Sequence, residues 1–247
     1  MVKIHYDYLR SKKAGRLKQL FECEFTENEH LTTWRGTNAT ILPLRRVTGD
    51  QIAFGRGGVV DGNGDYVELS AINDRINYKY EFTDAPYDDS KVVYCGYLID
   101  QWGHFLVETV ARLWYFLEND ETVDKYIFFI EEGSSRKIKG NYKEFFQLLK
   151  LWDKIDIINR PVTYREVIVP ELGYDRRSGY SQKYKKIFDT IASNVDIDPT
   201  WRTPDKIYFS RSQLAKASGM EFGLEALDDF FATNGYEVIF PEKMPLS

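Results

Sequence analysis

The stretch "KVVYCGYLIDQWGHFLVETVARLW", Lys91 to Trp114, decides the class of this chain. Its first nine residues are an almost unbroken apolar run, the composition of a strand buried on both faces. The period then changes. At 100° per residue, Leu106, Val110, Leu113, Trp114 and Leu117 fall on one face of a helix. A buried strand running directly into an amphipathic helix is the unit from which parallel α/β sheets are built.

Downstream the alternation continues. "KYIFFIEE" (Lys125 to Glu132), "KIDIINRP" (Lys154 to Pro161) and "EVIVP" (Glu166 to Pro170) read as further strands. "GNYKEFFQLLKLW" is an amphipathic helix with Phe145, Leu148, Leu149 and Trp152 at i, i+3, i+4 and i+7, and "SQKYKKIFDTIASNV" is another. A second block starts near Lys206, with "KIYFSR" as a strand, "GLEALDDFFATNGY" as a helix and "EVIFPEK" as a strand. Asn234-Gly235 suits a left-handed helix cap. Between the blocks lies "VDIDPTWRTPDK", with two prolines. The pattern predicts an α/β protein: an α/β unit over residues 1–198, a linker over 199–205, and the start (β-α-β) of a second α/β unit over 206–247. One β-α-β unit cannot easily bury both faces of its sheet, so the second domain is expected to be incomplete or docked onto the first.

Upstream, the first forty residues are polar and weakly patterned, and "NATILPLRRV" reads as a strand with a proline break. In "IAFGRGGVVDGNGDYVELS", the turn chemistry of Asp61 to Asp65 predicts a hairpin between Val59-Val60 and Tyr66 to Leu69. Gly55, Gly57 and Gly58 invite a phosphate-cradle reading, but no helix follows to hold the phosphate.

Composition narrows the classes. The chain has 247 residues, 43% of them hydrophobic, enough for a sizeable core. A net charge of −5 with both signs interspersed and no basic stripe argues against nucleic acid. Two cysteines, Cys23 and Cys95, lack CxxC spacing, which fits a reducing, cytoplasmic compartment. "MVKIHYDYLR" has no apolar core of a signal peptide, and no run of about eighteen apolar residues predicts a membrane span. The three histidines and two cysteines have no zinc spacing, and no G-x-S-x-G elbow is present.

Two constellations could carry chemistry. His104, Glu108 and Arg112 lie four residues apart on the arc opposite the apolar face, joined by Tyr115. They are either a solvated face with a weak i, i+4 pair or the lining of a site. His104 favours a site. It sits in the first helical turn, where the helix dipole disfavours an added positive charge, and it follows Gly103 at the C-terminal end of a predicted strand. In "KIYFSRS" a strand delivers Ser210 and Arg211 at its C-terminal end, and a guanidinium fork there suits a diphosphate. Surface charge is the plain alternative for Arg211. Asp196-Ile197-Asp198 spells DxD, a cation-holding pair in metal-dependent sugar transferases, but it follows a helix and runs into Pro199.

"WGHFLVETVARLW" resembles the N-domain signature of glycosyltransferase family 61, and "KIYFSRS" followed by a helix and "GYEVIFPEK" resembles the start of that family's second domain. "RGGVVDGNGDYVELS", "VVYCGY" and "EVIVPEL" are similar to bacterial members assigned to capsular polysaccharide biosynthesis. The resemblance covers about residues 40–247 and implies a GT-B architecture, with a Rossmann-like N-terminal domain and the start of a second Rossmann-like domain, and inverting transfer from a nucleotide sugar to a glycan acceptor without an obligatory metal. It implies His104 and Glu108 as the catalytic pair, with neither singled out as the base. Trp102 and Arg112 would line the acceptor cleft, and Arg211 and Ser210 would hold the donor diphosphate. It implies work in the cytoplasm, with peripheral association at the inner membrane face. Ala111 stands where the family carries a proline, which predicts a straighter helix. The family's Gly-rich phosphate segment has no counterpart up to residue 247, so a non-catalytic carbohydrate-binding or inactive truncated module is the alternative.

Overall fold

The computed structural model describes residues 30–46, 55–72, 78–119, 121–175, 179–196, 204–214 and 223–244. The chain forms two compact units, residues 1–136 with 153–189 and residues 137–152 with 190–247. Residues 197–203, most of the expected linker, lie outside the described residues.

In the first unit, β1 (Thr33–Arg45), β2 (Arg56–Val60), β3 (Tyr87–Tyr97), β4 (Lys125–Phe129), β5 (Ile155–Ile158) and β6 (Val162–Pro170) form one sheet in the order β2-β1-β6-β3-β4-β5. The pairs β3–β4, β3–β6 and β4–β5 are parallel, and β1 runs antiparallel to β2 and β6. The α/β class is as expected, with a mixed sheet in place of a wholly parallel one. The short connection from β1 to β2 accounts for their antiparallel pairing, because parallel neighbours need a long crossover. Among the described residues the α-helices are α1 (Trp102–Val107), α2 (Trp114–Glu118), α3 (Asn141–Leu148), α4 (Gln182–Asn194) and α5 (Leu224–Thr233), with α3 and α5 in the second unit. Two further two-residue strands, β7 (Tyr174–Asp175) and β8 (Gly179–Tyr180), pair antiparallel. Among the described residues no helix is long and apolar enough to cross a membrane.

The sheet coils on itself. Leu44, at the end of β1, bridges Glu131 just beyond β4, although β6 and β3 lie between them in the sheet. The link from β5 to β6 points the same way. Ile158 lies level with Tyr97 through Phe129, whereas Thr163 lies beside Tyr87. Asn159–Pro161 can reach only about 14 Å, far less than a flat sheet would demand. The coil encloses Ile41, Val92, Tyr94, Ile127, Phe129 and Val167 as one core, while Leu42, Val60 and Tyr80 pack separately.

Between β2 and β3 the expected hairpin forms only in part. The Asp61–Asp65 turn closes, with Asp61 N donating to Asp65 O at 2.8 Å, and Val60 bridges Tyr66. Glu68–Ser70, however, is a 3₁₀ turn, and β2 takes β1 as its strand partner. The Ser70 hydroxyl explains the substitution: it accepts from Val59 N at 2.9 Å and donates to Val67 O at 2.6 Å, fastening the segment without a ladder. A Cβ on Gly58 would stand 2.6 Å from both this hydroxyl and the Tyr66 hydroxyl, so that glycine serves packing.

Glu121 ties the first unit together near α2. It pairs with Arg35 of β1 at 2.7 Å and with Lys91 of β3, and it accepts from the Tyr115 hydroxyl at 2.7 Å.

In the second unit, β9 (Ile207–Phe209) and β10 (Glu237–Ile239) pair in parallel. Tyr208 stacks on Phe231 of α5 with ring centroids 4.0 Å apart. Gly235, at φ +79, caps α5 as expected, and Tyr236 N donates back to Phe231 O. Asn194 Nδ2 donates to Leu148 O at the end of α3.

Candidate functional site

The first constellation is built where β3 ends. The chain turns through Leu98–Gln101 into α1, and Phe105 N donates to Gln101 O at 2.8 Å to open the helix. The buried Thr109 hydroxyl staples this turn, donating to Tyr97 O at 3.1 Å and accepting from Ile99 N at 3.0 Å. Tyr184, reaching from α4, donates its hydroxyl to Leu106 O at 2.7 Å. A strand end, a threonine and a tyrosine thus fix α1 from three sides.

On α1, His104 Nδ1 lies 3.1 Å from Glu108 Oε1, with side chains 35% and 11% exposed. The separation is a hydrogen-bond distance, although Nδ1 makes no hydrogen bond in this arrangement. Such looseness is common in unliganded acid–base pairs. The imidazole can exchange protons with solvent while the carboxylate is largely shielded. Trp102 stacks on buried Phe105 with centroids 5.4 Å apart and planes 13° apart, which leaves Trp102 partly exposed beside the pair.

Arg112 is not where the sequence puts it. The helix stops at Val107, Thr109–Arg112 is a 3₁₀ turn, and α2 starts at Trp114. The straight helix expected from Ala111 is therefore corrected: the chain breaks at Glu108 without a proline. Arg112 has no exposure. Its Nε donates to Pro170 O, and its Nη2 to Leu69 O and Ala71 O, each at 2.9 Å. The guanidinium carbon sits 5.2 Å from the centre of the Tyr94 ring. Burial lowers the Arg112 pKa from its ordinary value. A side chain so enclosed does not line an open cleft. Tyr115, expected on the same polar arc, is likewise buried. Arg112 thus reaches Pro170 at the C-terminal end of β6 and lies beside Gly96 of the neighbouring strand β3.

At the neighbouring strand ends, the Tyr97 hydroxyl donates to Glu131, and Arg136 donates to Leu98 O with its guanidinium over the Tyr97 ring. Burial, with Glu131 adding to it, pushes the Tyr97 hydroxyl up to about 12, so it remains a proton donor at neutral pH.

The second constellation lies in the other unit. Ser210, just after β9, is buried, and its hydroxyl accepts from Ser212 N at 3.0 Å. Ser212 in turn donates to Asp228 of α5 at 2.6 Å. Arg211 is exposed at the C-terminal end of β9, as its spacing predicts. Asp196 helps line a surface pocket of about 570 Å³ with Glu144 and Gln147, and Asp198 lies outside the described residues. Among the described residues no three histidine, cysteine or acidic side chains converge as metal ligands.

Thr109, Tyr184 and Arg136 carry no local signal that marks them as site-building residues. Their partners are backbone groups on other elements, which no spacing rule reaches. Comparisons with family models, with curated proteins and with solved structures find no match.

Proposed function

We propose that the chain is an inverting glycosyltransferase, or the N-terminal portion of one, of the GT-B class, acting on nucleotide sugars and a surface-glycan acceptor. The observation that carries this reading is the His104–Glu108 pair at 3.1 Å, at the C-terminal end of a parallel strand. The sequence resemblance supplies the reaction class. The acceptor hydroxyl oxygen bonds to the anomeric carbon while the bond from that carbon to the diphosphate oxygen breaks. The hydroxyl proton passes to one member of the pair, and the other orients it. The resemblance assigns the donor diphosphate to Arg211 and Ser210 of the second unit, where a guanidinium suits that charge. Trp102 offers a ring face to the acceptor sugar. No metal is required for these steps, and the cytoplasm, with peripheral attachment to the inner membrane face, is the setting.

Sugar transfer from a panel of nucleotide sugars tests the assignment. Glu108→Gln and His104→Ala should each lower turnover by about 10²–10⁴-fold. Near-wild-type transfer by both variants overturns the assignment.

A second reading, a non-catalytic carbohydrate-binding module, draws on a different observation. A pocket of about 420 Å³ is lined by Asp88, Asp156, Asn159 and Arg160 beside Tyr87, which is 57% exposed. An exposed ring next to polar groups of both charges suits a sugar. Binding of glycans without binding of any nucleotide sugar, in the same titrations, selects this reading.

A further inference from the structure

We infer that Arg112 is a positioning residue for the His104–Glu108 pair, because its guanidinium holds the helix break that sets where Glu108 stands. The inference rests on the reading of that pair as the functional site.

Geometry shows what the break does. In a continuous α-helix, four residues turn about 400°, so Arg112 would fall within about 40° of Glu108. In a 3₁₀ turn they sweep about 480°, which carries Arg112 about 80° further round. The backbone follows the second path: Leu113 N donates to Val110 O at 3.0 Å, and Ala111 N faces Glu108 O at 3.5 Å. Glu108 itself has φ −116, off the helical value, with ψ −49 still within the helical range.

Nothing local demands the break. Thr109 to Leu113 contains neither glycine nor proline. The demand comes from three backbone carbonyls, at Leu69, Ala71 and Pro170, that share one donor fork. A helix running straight on would withdraw the guanidinium and strip those carbonyls of it. Among the described residues no carboxylate lies in ion-pair reach of Arg112, so the carbonyl dipoles and the Tyr94 ring hold its charge. Lysine, a single point charge, cannot reproduce the fork. Other bonds steady the same segment: the Thr109 hydroxyl with Tyr97 O and Ile99 N, Gly173 N to Ala111 O at 2.7 Å and Trp114 Nε1 to Glu171 O at 2.9 Å. Loss of the fork therefore leaves the fold in place and loosens the break. Glu108 is the last residue joined to the α1 ladder, through its N to His104 O at 2.8 Å, so its carboxylate moves relative to His104 when the break moves.

The histidine tautomer reads this geometry directly. A carboxylate charge 3.1 Å from Nδ1 draws the proton of the neutral ring to that nitrogen even without an aligned hydrogen bond, whereas a free imidazole favours Nε2. Nitrogen-15 NMR, recorded at alkaline pH once the ring signals no longer move, separates the two forms. The chain has three histidines, and His104→Asn identifies the signal. The expected result is a dominant Nδ1–H form in the wild type, lost in Arg112→Lys while cooperative thermal unfolding persists. Retention of the Nδ1–H form in Arg112→Lys overturns the positioning role, whatever the change in Tm. If Arg112→Lys does not fold, Arg112→Gln, with two donors and no charge, carries the same readout and the same two outcomes. Glu108→Ala separates this inference from the functional reading: it should abolish the Nδ1–H form. Persistence there overturns the pair itself, and with it the proposed site, whereas loss there with retention in Arg112→Lys overturns positioning alone.

Discussion

Gly96 shows how closely the interior is fitted around Arg112. It has φ +96, a conformation that side chains rarely adopt, and a Cβ there would lie 3.1 Å from Arg112 Nη1. Gly96→Ala should therefore cost about 1–3 kcal/mol, measured by urea unfolding. A loss below about 0.5 kcal/mol would mean that strand and guanidinium yield freely. At this scale His104 and Glu108 were legible, because the four-residue spacing and the strand before them are local properties. Arg112 was not. Its carbonyl partners lie 41, 43 and 58 residues away in the chain, and only tertiary structure brings them to it.

Elements are held by charge as well as by packing, and the cluster around Glu121 makes this measurable. Arg35, and after it Lys91, hold the Glu121 carboxyl well below the ordinary glutamate value of 4.5. A depressed folded-state pKa means that its contribution to stability is complete above about pH 5. That contribution fades as the pH falls through the ordinary value toward the depressed one. Glu121→Gln should thus be less stable than the wild type at pH 7, and the gap should narrow below about pH 4 in denaturant titrations at matched salt. A gap that stays constant down to pH 3 would remove Glu121 from the acid response. The order of strands and helices from β3 onward was readable, since each has its own hydrophobic period. The break in α1 was not, because its cause lies outside the segment. The second arm of the Asp61 turn was misread for a similar reason: one serine hydroxyl supplied the bonds that a ladder would have made.

For the molecule as a whole, the two units differ in how much of their structure is shielded. The first unit closes its coil around fully buried Ile41, Tyr94 and Val167, whereas Ile207 and Phe209 of β9 are 36% and 62% exposed. Amide hydrogen exchange should be slowest at Val92–Tyr94 and Val167–Val169, and at least about tenfold faster in β9 and β10. Equal protection in both would show the second unit's short strands to be as firmly closed as the coil. The α/β class was visible in the sequence. The antiparallel β1–β6 pairing was not, since it joins residues more than a hundred apart, nor was the coil, which is closed by a bridge between Leu44 and the distant Glu131.

That long pairing also bears on how the chain is made. The last residue of β1 leaves the ribosome about 125 residues ahead of the last residue of its neighbour β6. At roughly 5–20 residues per second, the β1 edge waits about 6–25 s for its partner. During that interval Ala39 and Ile41 have at most the β2 side of the sheet to lean on. The exposed edge is a natural client for a nascent-chain chaperone, and slow codons between Arg45 and Pro170 would lengthen its exposure without changing a single amino acid.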